Sequence, residues 1–227
     1  MIDEKEKFTL LRAQMVEHQI EGRGVHDSAI LAAMNKVPRE LFVPSFYQKY
    51  AYEDTPLPIP AEQTISQPYI VGVMINALSL KPTDRVLEIG AGSGYAAAVL
   101  SRIVKEVYAV ERIESLIDEA RQRLTQLGYN NVSVHHANGT LGLPQKAPFD
   151  AILVSAGGPI VPPSLQEQLI IGGRLVMPVG ADKKTQNLLR VTRQSEEEYR
   201  QEDLGSVRFV PLIGAFGWKE EDLGAKD

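Results

Sequence analysis

The spacing of apolar positions along the 227-residue chain changes character once, near Pro68. Before it, Phe8, Leu11, Met15 and Ile20 recur at roughly helical intervals, which predicts an amphipathic helix with one apolar face. Asp27 is suited to cap a second helix carrying Ile30, Leu31, Met34 and Val37, and Pro38 ends it. Between Tyr52 and Pro68, the near alternation of Pro56, Pro58 and Pro60 forbids a regular helix and predicts an ordered loop or extended segment.

From Pro68 the pattern alternates. A helix with proline in its first turn is predicted to run to about Leu80. Short apolar, β-rich runs follow at Arg85 to Ile89, Val107 to Val110, Val132 to Val134, Ala151 to Val154 and Arg174 to Val179. Amphipathic stretches separate them, the clearest being Ile113 to Leu127, which Gly128 terminates. Apolar strands alternating with helices predict an α/β fold with a doubly wound, mostly parallel sheet covered on both faces. Asn187 to Val191 and Val207 to Leu212, either side of a charged turn at Glu196 to Glu198, are expected as antiparallel edge strands. The pattern predicts one domain over residues 1–227: a helical N-terminal addition and proline-rich loop over 1–67, an α/β core over 68–214 and a tail over 215–227.

Composition narrows the chemistry. With 44% hydrophobic and 23% charged residues the chain can bury a large core. It has no cysteine, so disulfides, thiolate metal cages and a cysteine nucleophile are excluded. The 24 basic against 29 acidic residues give a net charge of −5, which argues against a nucleic-acid partner. His135 and His136 are neighbours in an extended run and point to opposite faces, so no metal site is expected. The charged N-terminal residues and the absence of a long apolar run predict a cytoplasmic protein with no membrane partner.

The sharpest local signal is Val86-Leu-Glu-Ile-Gly-Ala-Gly-Ser-Gly-Tyr95, an apolar strand that runs into three glycines and then a helix. Gly90, Gly92 and Gly94 permit a tight turn and close approach of a ligand to the backbone. Glu88 precedes the turn, and Glu111 closes the next strand, where an acid bonds the two ribose hydroxyls of a nucleotide. A dinucleotide and S-adenosylmethionine both use such a crevice. The spacing here, E-x-G-x-G-x-G, resembles motif I of class I S-adenosylmethionine-dependent methyltransferases, which form a Rossmann-like fold and whose cationic cofactor favours a nearby carboxylate.

Further segments carry a narrower resemblance. Asp54 to Ile59, Gln63-Thr-Ile-Ser-Gln-Pro-Tyr69, Pro148 to Val154, Gly173 to Gly180 and Val207-Arg-Phe-Val-Pro-Leu212 follow in the order found in the protein-L-isoaspartate (D-aspartate) O-methyltransferases. The resemblance covers about residues 8 to 214. It implies methyl transfer from S-adenosylmethionine to the free carboxylate of isoaspartyl residues in damaged proteins, initiating repair, by a monomer. It further implies Ser66 as the active-site residue, and Thr64, Ile65, Ser66, Val207, Arg208, Phe209, Val210 and Leu212 as substrate contacts. Gln63, Thr64, Glu88, Gly90, Gly92, Gly94, Glu111, Asn138 and Gly139 are the implied cofactor contacts. The chain departs from the family pattern at Pro60-Ala-Glu62, where glycines are usual, and at Asn138, where an aspartate is usual; the Asn138 oxygen is expected to accept from the adenine amine instead. A methyltransferase with a different acceptor and a non-catalytic cofactor-binding module are the alternative readings.

Overall fold

The computed structural model describes residues 3–182 and 184–223. Helix α1 (Glu4–Gln14) leads into a π-helical turn, Met15–Ile20, whose Met15, Val16 and Ile20 are buried. Helix α2 (Ser28–Lys36) is capped as expected: the Asp27 carboxylate accepts from the Ala29 and Ile30 amides at 2.8 and 3.2 Å. Two short 3-10 turns, Arg39–Phe42 and Ser45–Tyr50, lead to the hairpin of β1 (Leu57–Ile59) and β2 (Gln63–Ile65). The proline-rich stretch is therefore extended and hydrogen-bonded. Its prolines stand where a donor is not needed.

Helix α3 (Pro68–Ala77) precedes the repeating part: β3 (Arg85–Ile89), α4 (Tyr95–Ser101), β4 (Glu106–Glu111), α5 (Glu114–Gln126), β5 (Val132–His136), β6 (Phe149–Val154), α6 (Pro163–Glu167) and β7 (Leu169–Val179). Two antiparallel strands complete the sheet, β8 (Gln186–Arg193) and β9 (Tyr199–Val207). The strand order is β5-β4-β3-β6-β7-β8-β9, with β5 through β7 parallel. Alternate side chains of β3 go to different cores, Val86 to one and Leu87 and Ile89 to the other, so both faces are covered. Among the described residues no helix is long and apolar enough to cross a membrane.

One expected strand is corrected. The second edge strand is Tyr199–Val207, not Val207 to Leu212. Its sequence is largely polar because both faces of this edge are mostly solvated, so no apolar alternation announces it. The residues that follow leave the edge and cross back over the sheet. Gly157 N–H donates to the Val210 carbonyl at 2.8 Å, and Leu212 N–H donates to the Gly157 carbonyl at 2.7 Å. The chain leaves β3 toward β4 on one side and returns on the other through β6, so the carboxyl ends of β3 and β6 form the switch point where open α/β sheets bind ligands.

Candidate active site

The glycine turn stands at that switch point. Gly90, Gly92 and Gly94 have φ of 86°, 51° and 87°, a region closed to most side chains, which explains why three glycines are needed in five residues. The Gly90 and Ala91 amides both donate to the Val110 carbonyl, at 2.8 and 3.1 Å, and pin the turn to β4. Gly94 heads α4, and a Cβ there would stand 3.3 Å from Leu124 Cδ1.

Glu111 ties the turn to the end of β4. Its carboxylate accepts from the Gly92 amide at 3.0 Å and from the Arg112 and Ile113 amides at 2.7 and 3.1 Å. Glu88 is different. It is 1% exposed, and its Oε2 has no hydrogen-bond partner. Burial, and then the charge of Glu111, push its pKa well above the usual carboxylate range, opposed in part by the Ala97 amide. A carboxylate left this way calls for a cation or an N–H donor.

These groups wall an open cleft that runs between the glycine turn and the hairpin. The β1–β2 hairpin closes one side, with Ile59 Cδ1 at 3.4 Å from where a Gly92 Cβ would be. At its tip the Gln63 amide bonds the Pro60 carbonyl at 3.4 Å across Ala61 and Glu62, which have φ of 58° and 57°. Both central residues are thus left-handed, as in a type I′ turn, without a glycine at either.

Of the sequence-predicted residues, Gln63, Thr64, Ile65, Ser66, Glu88, Gly90, Gly92, Glu111, Gly139, Val210 and Leu212 line this cleft. The Ser66 hydroxyl makes no hydrogen bond among the described residues. Gly94 shapes the turn from behind. Val207 and Phe209 pack on the core, and Arg208 is exposed. The Phe209 backbone is held by the buried Gln186 side-chain amide: Gln186 Oε1 accepts from its N–H at 2.8 Å and Nε2 donates to its carbonyl at 3.3 Å. Asn138 lies in a neighbouring shallow depression with Arg112 and His136. Its Oδ1 already accepts from the Thr140 amide and hydroxyl at 3.0 and 2.8 Å. Among the described residues, no group of three or more His, Asp or Glu is placed to hold a metal.

Sequence reasoning missed Tyr95, Met74, Ile113, Ser155 and Ala156, which also line the cleft. Ser155 and Ala156 could have been found as the residues that follow the apolar strand beside the glycine turn. Arg39, behind Ser66, gave only the weak signal of a charge among Val37, Leu41, Phe42 and Val43.

Comparison with known proteins agrees with this geometry. Residues 11–217 match the family model described as Protein-L-isoaspartate(D-aspartate) O-methyltransferase. A Pelobacter propionicus protein named Protein-L-isoaspartate O-methyltransferase 2 is 62% identical over 91% of this chain and 92% of its own. A Rhodopseudomonas palustris Protein-L-isoaspartate O-methyltransferase is 60% identical over 92% and 95%. Among solved structures, a protein-L-isoaspartate O-methyltransferase superposes with a TM-score of 0.83 at 30% identity, over 91% of this chain and 67% of that one. A Plasmodium falciparum structure, described as a putative protein-L-isoaspartate O-methyltransferase in complex with S-adenosyl-L-homocysteine, has a TM-score of 0.76 at 25% identity, over 89% and 98%.

Proposed function

Because this chain belongs to the protein-L-isoaspartate(D-aspartate) O-methyltransferase family, we propose that its cleft methylates the free carboxylate of isoaspartyl residues in damaged proteins, using S-adenosylmethionine. The observation that carries this reading is the unpartnered Glu88 oxygen in the same cleft as the free Ser66 hydroxyl. One feature fits the cationic amino end of the cofactor; the other fits an anionic acceptor.

S-adenosylmethionine supplies an electrophilic methyl group on a sulfonium. In our reading Glu88 receives its ammonium, Glu111 faces the ribose hydroxyls, and Gly90, Gly92 and Gly139 let it lie against the backbone. Gln63 and Thr64 cover it from the hairpin. The acceptor carboxylate is ionised at neutral pH, so it attacks without a general base. What the chain's residues contribute is alignment, worth up to about 7–11 kcal/mol in favourable cases. Ser66, Thr64 and Ile65 would orient the carboxylate, with Val210 and Leu212 on the far wall and Val207, Arg208 and Phe209 continuing the peptide path. Opposite charges cancel as the methyl transfers, so the apolar walls favour the reaction. The Asn138 oxygen is spoken for by Thr140, so accepting the adenine amine would mean sharing it or displacing a donor. The cysteine-free composition is compatible with work in a reducing cytoplasm.

Radiolabelled methyl transfer to an isoaspartyl peptide, beside its normal aspartyl twin, tests the reading. Labelling confined to the isoaspartyl peptide is expected. Equal labelling of both would refute it, and cofactor binding with no labelling of either would point to another acceptor.

A further inference from the structure

The largest fully buried side chain among the described residues is a charged one, Arg39, with 0% exposure. Its Nε donates to the Ala51 carbonyl and its Nη2 to the Ser66 carbonyl, each at 2.8 Å. The guanidinium carbon lies 4.8 Å from the centroid of the Tyr95 ring. Arg39 Nη1 and the Tyr95 hydroxyl are both buried without a hydrogen-bond partner. No carboxylate forms an ion pair with Arg39 among the described residues; the adjacent Glu40 accepts from the Tyr52 hydroxyl instead.

This is an expensive way to fill a core. A buried cation hydrogen-bonded to two neutral carbonyls, with the Tyr95 side chain and the more distant Asp54 carboxylate beside it but no ion pair, is desolvated without full compensation, and an apolar side chain of similar volume would serve packing at least as well. What an arginine adds is a planar fork that fixes several groups in one geometry. Here the fork spans the two halves of the cleft. Tyr95 opens α4 directly after the glycine turn and lines the cleft on the cofactor side, while Ser66 lines it from the hairpin side. Ser66 itself lies in the link between a three-residue strand and α3, and the Gln67 side chain makes no cap bond to that helix.

We propose that Arg39 is a positioning residue for methyl transfer: by holding the Ser66 carbonyl against the framework of Tyr95 and Ala51, it sets where the Ser66 hydroxyl is presented to the acceptor. The proposal rests on the assignment of Ser66 made above. Arg39 touches neither cofactor nor acceptor. Its effect should therefore fall on turnover, since a displacement of about 1 Å can lower a rate on the order of 10²-fold, and spare cofactor affinity.

The test is a double-mutant cycle of Arg39→Lys and Ser66→Ala. It is read by kcat and KM with an isoaspartyl peptide and by calorimetric binding of S-adenosylhomocysteine. Arg39→Met, which removes the buried charge instead of reseating it, is the parallel variant should the lysine not fold. We expect Arg39→Lys to lower kcat on the order of 10²-fold, with cofactor affinity held within about threefold, and the double variant to be no slower than Ser66→Ala alone. Strict multiplication of the two effects would overturn the proposal, as would joint loss of cofactor binding and turnover in both Arg39 variants, which would mark a merely structural arginine. Ser66→Ala with undiminished turnover would remove the hydroxyl itself, and with it the claim that Arg39 acts through Ser66. A slow Ser66→Ala beside an undiminished Arg39→Lys would sink the Arg39 proposal alone.

Discussion

Glycine substitutions usually weaken a protein, yet at the tip of the β1–β2 hairpin they should strengthen this one. Ala61 and Glu62 hold φ of 58° and 57°, and each non-glycine residue in that region costs roughly 1–2 kcal/mol. Glycine there returns about 0.5–1 kcal/mol of that to unfolded-chain entropy. The net gain is about 0.5–1 kcal/mol per position, or ~1–2 kcal/mol for Ala61→Gly with Glu62→Gly. For a chain of this size that corresponds to a rise in melting temperature of roughly 2–8 °C. The hairpin is anchored by the buried Leu57, Ile59 and Ile65, so its strain is felt by the folded state as a whole. Glu62→Ala is the control, because it removes the exposed charge but keeps the positive φ; it should leave the melting temperature nearly unchanged. The charge has a separate signature. Glu62→Ala and Glu62→Gly should both lower KM for an anionic isoaspartyl peptide at low salt, and the advantage should fade toward 1 M salt as the Debye length shrinks to about 3 Å. Glycine variants melting at or below the wild type would refute the strain argument, and a KM indifferent to salt would refute the electrostatic one.

Other expectations concern the cleft. Glu88→Gln should have two effects of opposite sign. Because the folded-state pKa of Glu88 is raised, its contribution to stability is full below the ordinary value of 4.5 and is lost as pH climbs from there through the raised folded value. The glutamine variant should therefore lose less stability than the wild type between pH 5 and pH 8, while binding S-adenosylmethionine on the order of 10-fold or more weakly; thermal melts across pH and calorimetry measure both, and a parallel pH profile would count against the assignment. Gly139→Ala would put a Cβ 2.5 Å from Ile89 Cγ2, so a loss of about 1–3 kcal/mol is expected in denaturant titrations, together with weaker cofactor binding. Gln186→Ala frees both hydrogen-bonding groups of Phe209, and should raise KM for peptide several-fold with cofactor affinity unchanged; an unaltered KM would mean that the Val207 to Leu212 crossing does not guide the peptide.

Much of this molecule was legible along the chain because its signals are local. A strand that is apolar throughout, an Asp27 ahead of a helical run, a Gly128 behind one and three glycines between a strand and a helix each report on neighbours in sequence, where backbone sterics and hydrogen-bond periodicity set the outcome. Those signals located β3 through β7, the glycine turn that lines the cleft, and the two acids Glu88 and Glu111. The sequence likewise marked Pro60 to Glu62 as a departure, though not that two of its residues would be left-handed.

Tertiary structure decided the rest, for a common physical reason: the deciding partner lies tens of residues away and leaves no period in the pattern. Val207 to Leu212 becomes a crossing segment instead of an edge strand because Gly157, about fifty residues earlier, takes its hydrogen bonds. Glu88 is an ordinary motif residue until burial and the nearby charge of Glu111 make it a carboxylate in want of a cation. Arg39 reads as one more surface charge until the fold closes over it and hands its donors to Ala51 and Ser66, 12 and 27 residues on. Local sequence determined most of the elements, while packing settled the sheet's outer edge and determined which polar groups would be left without water and therefore available for function.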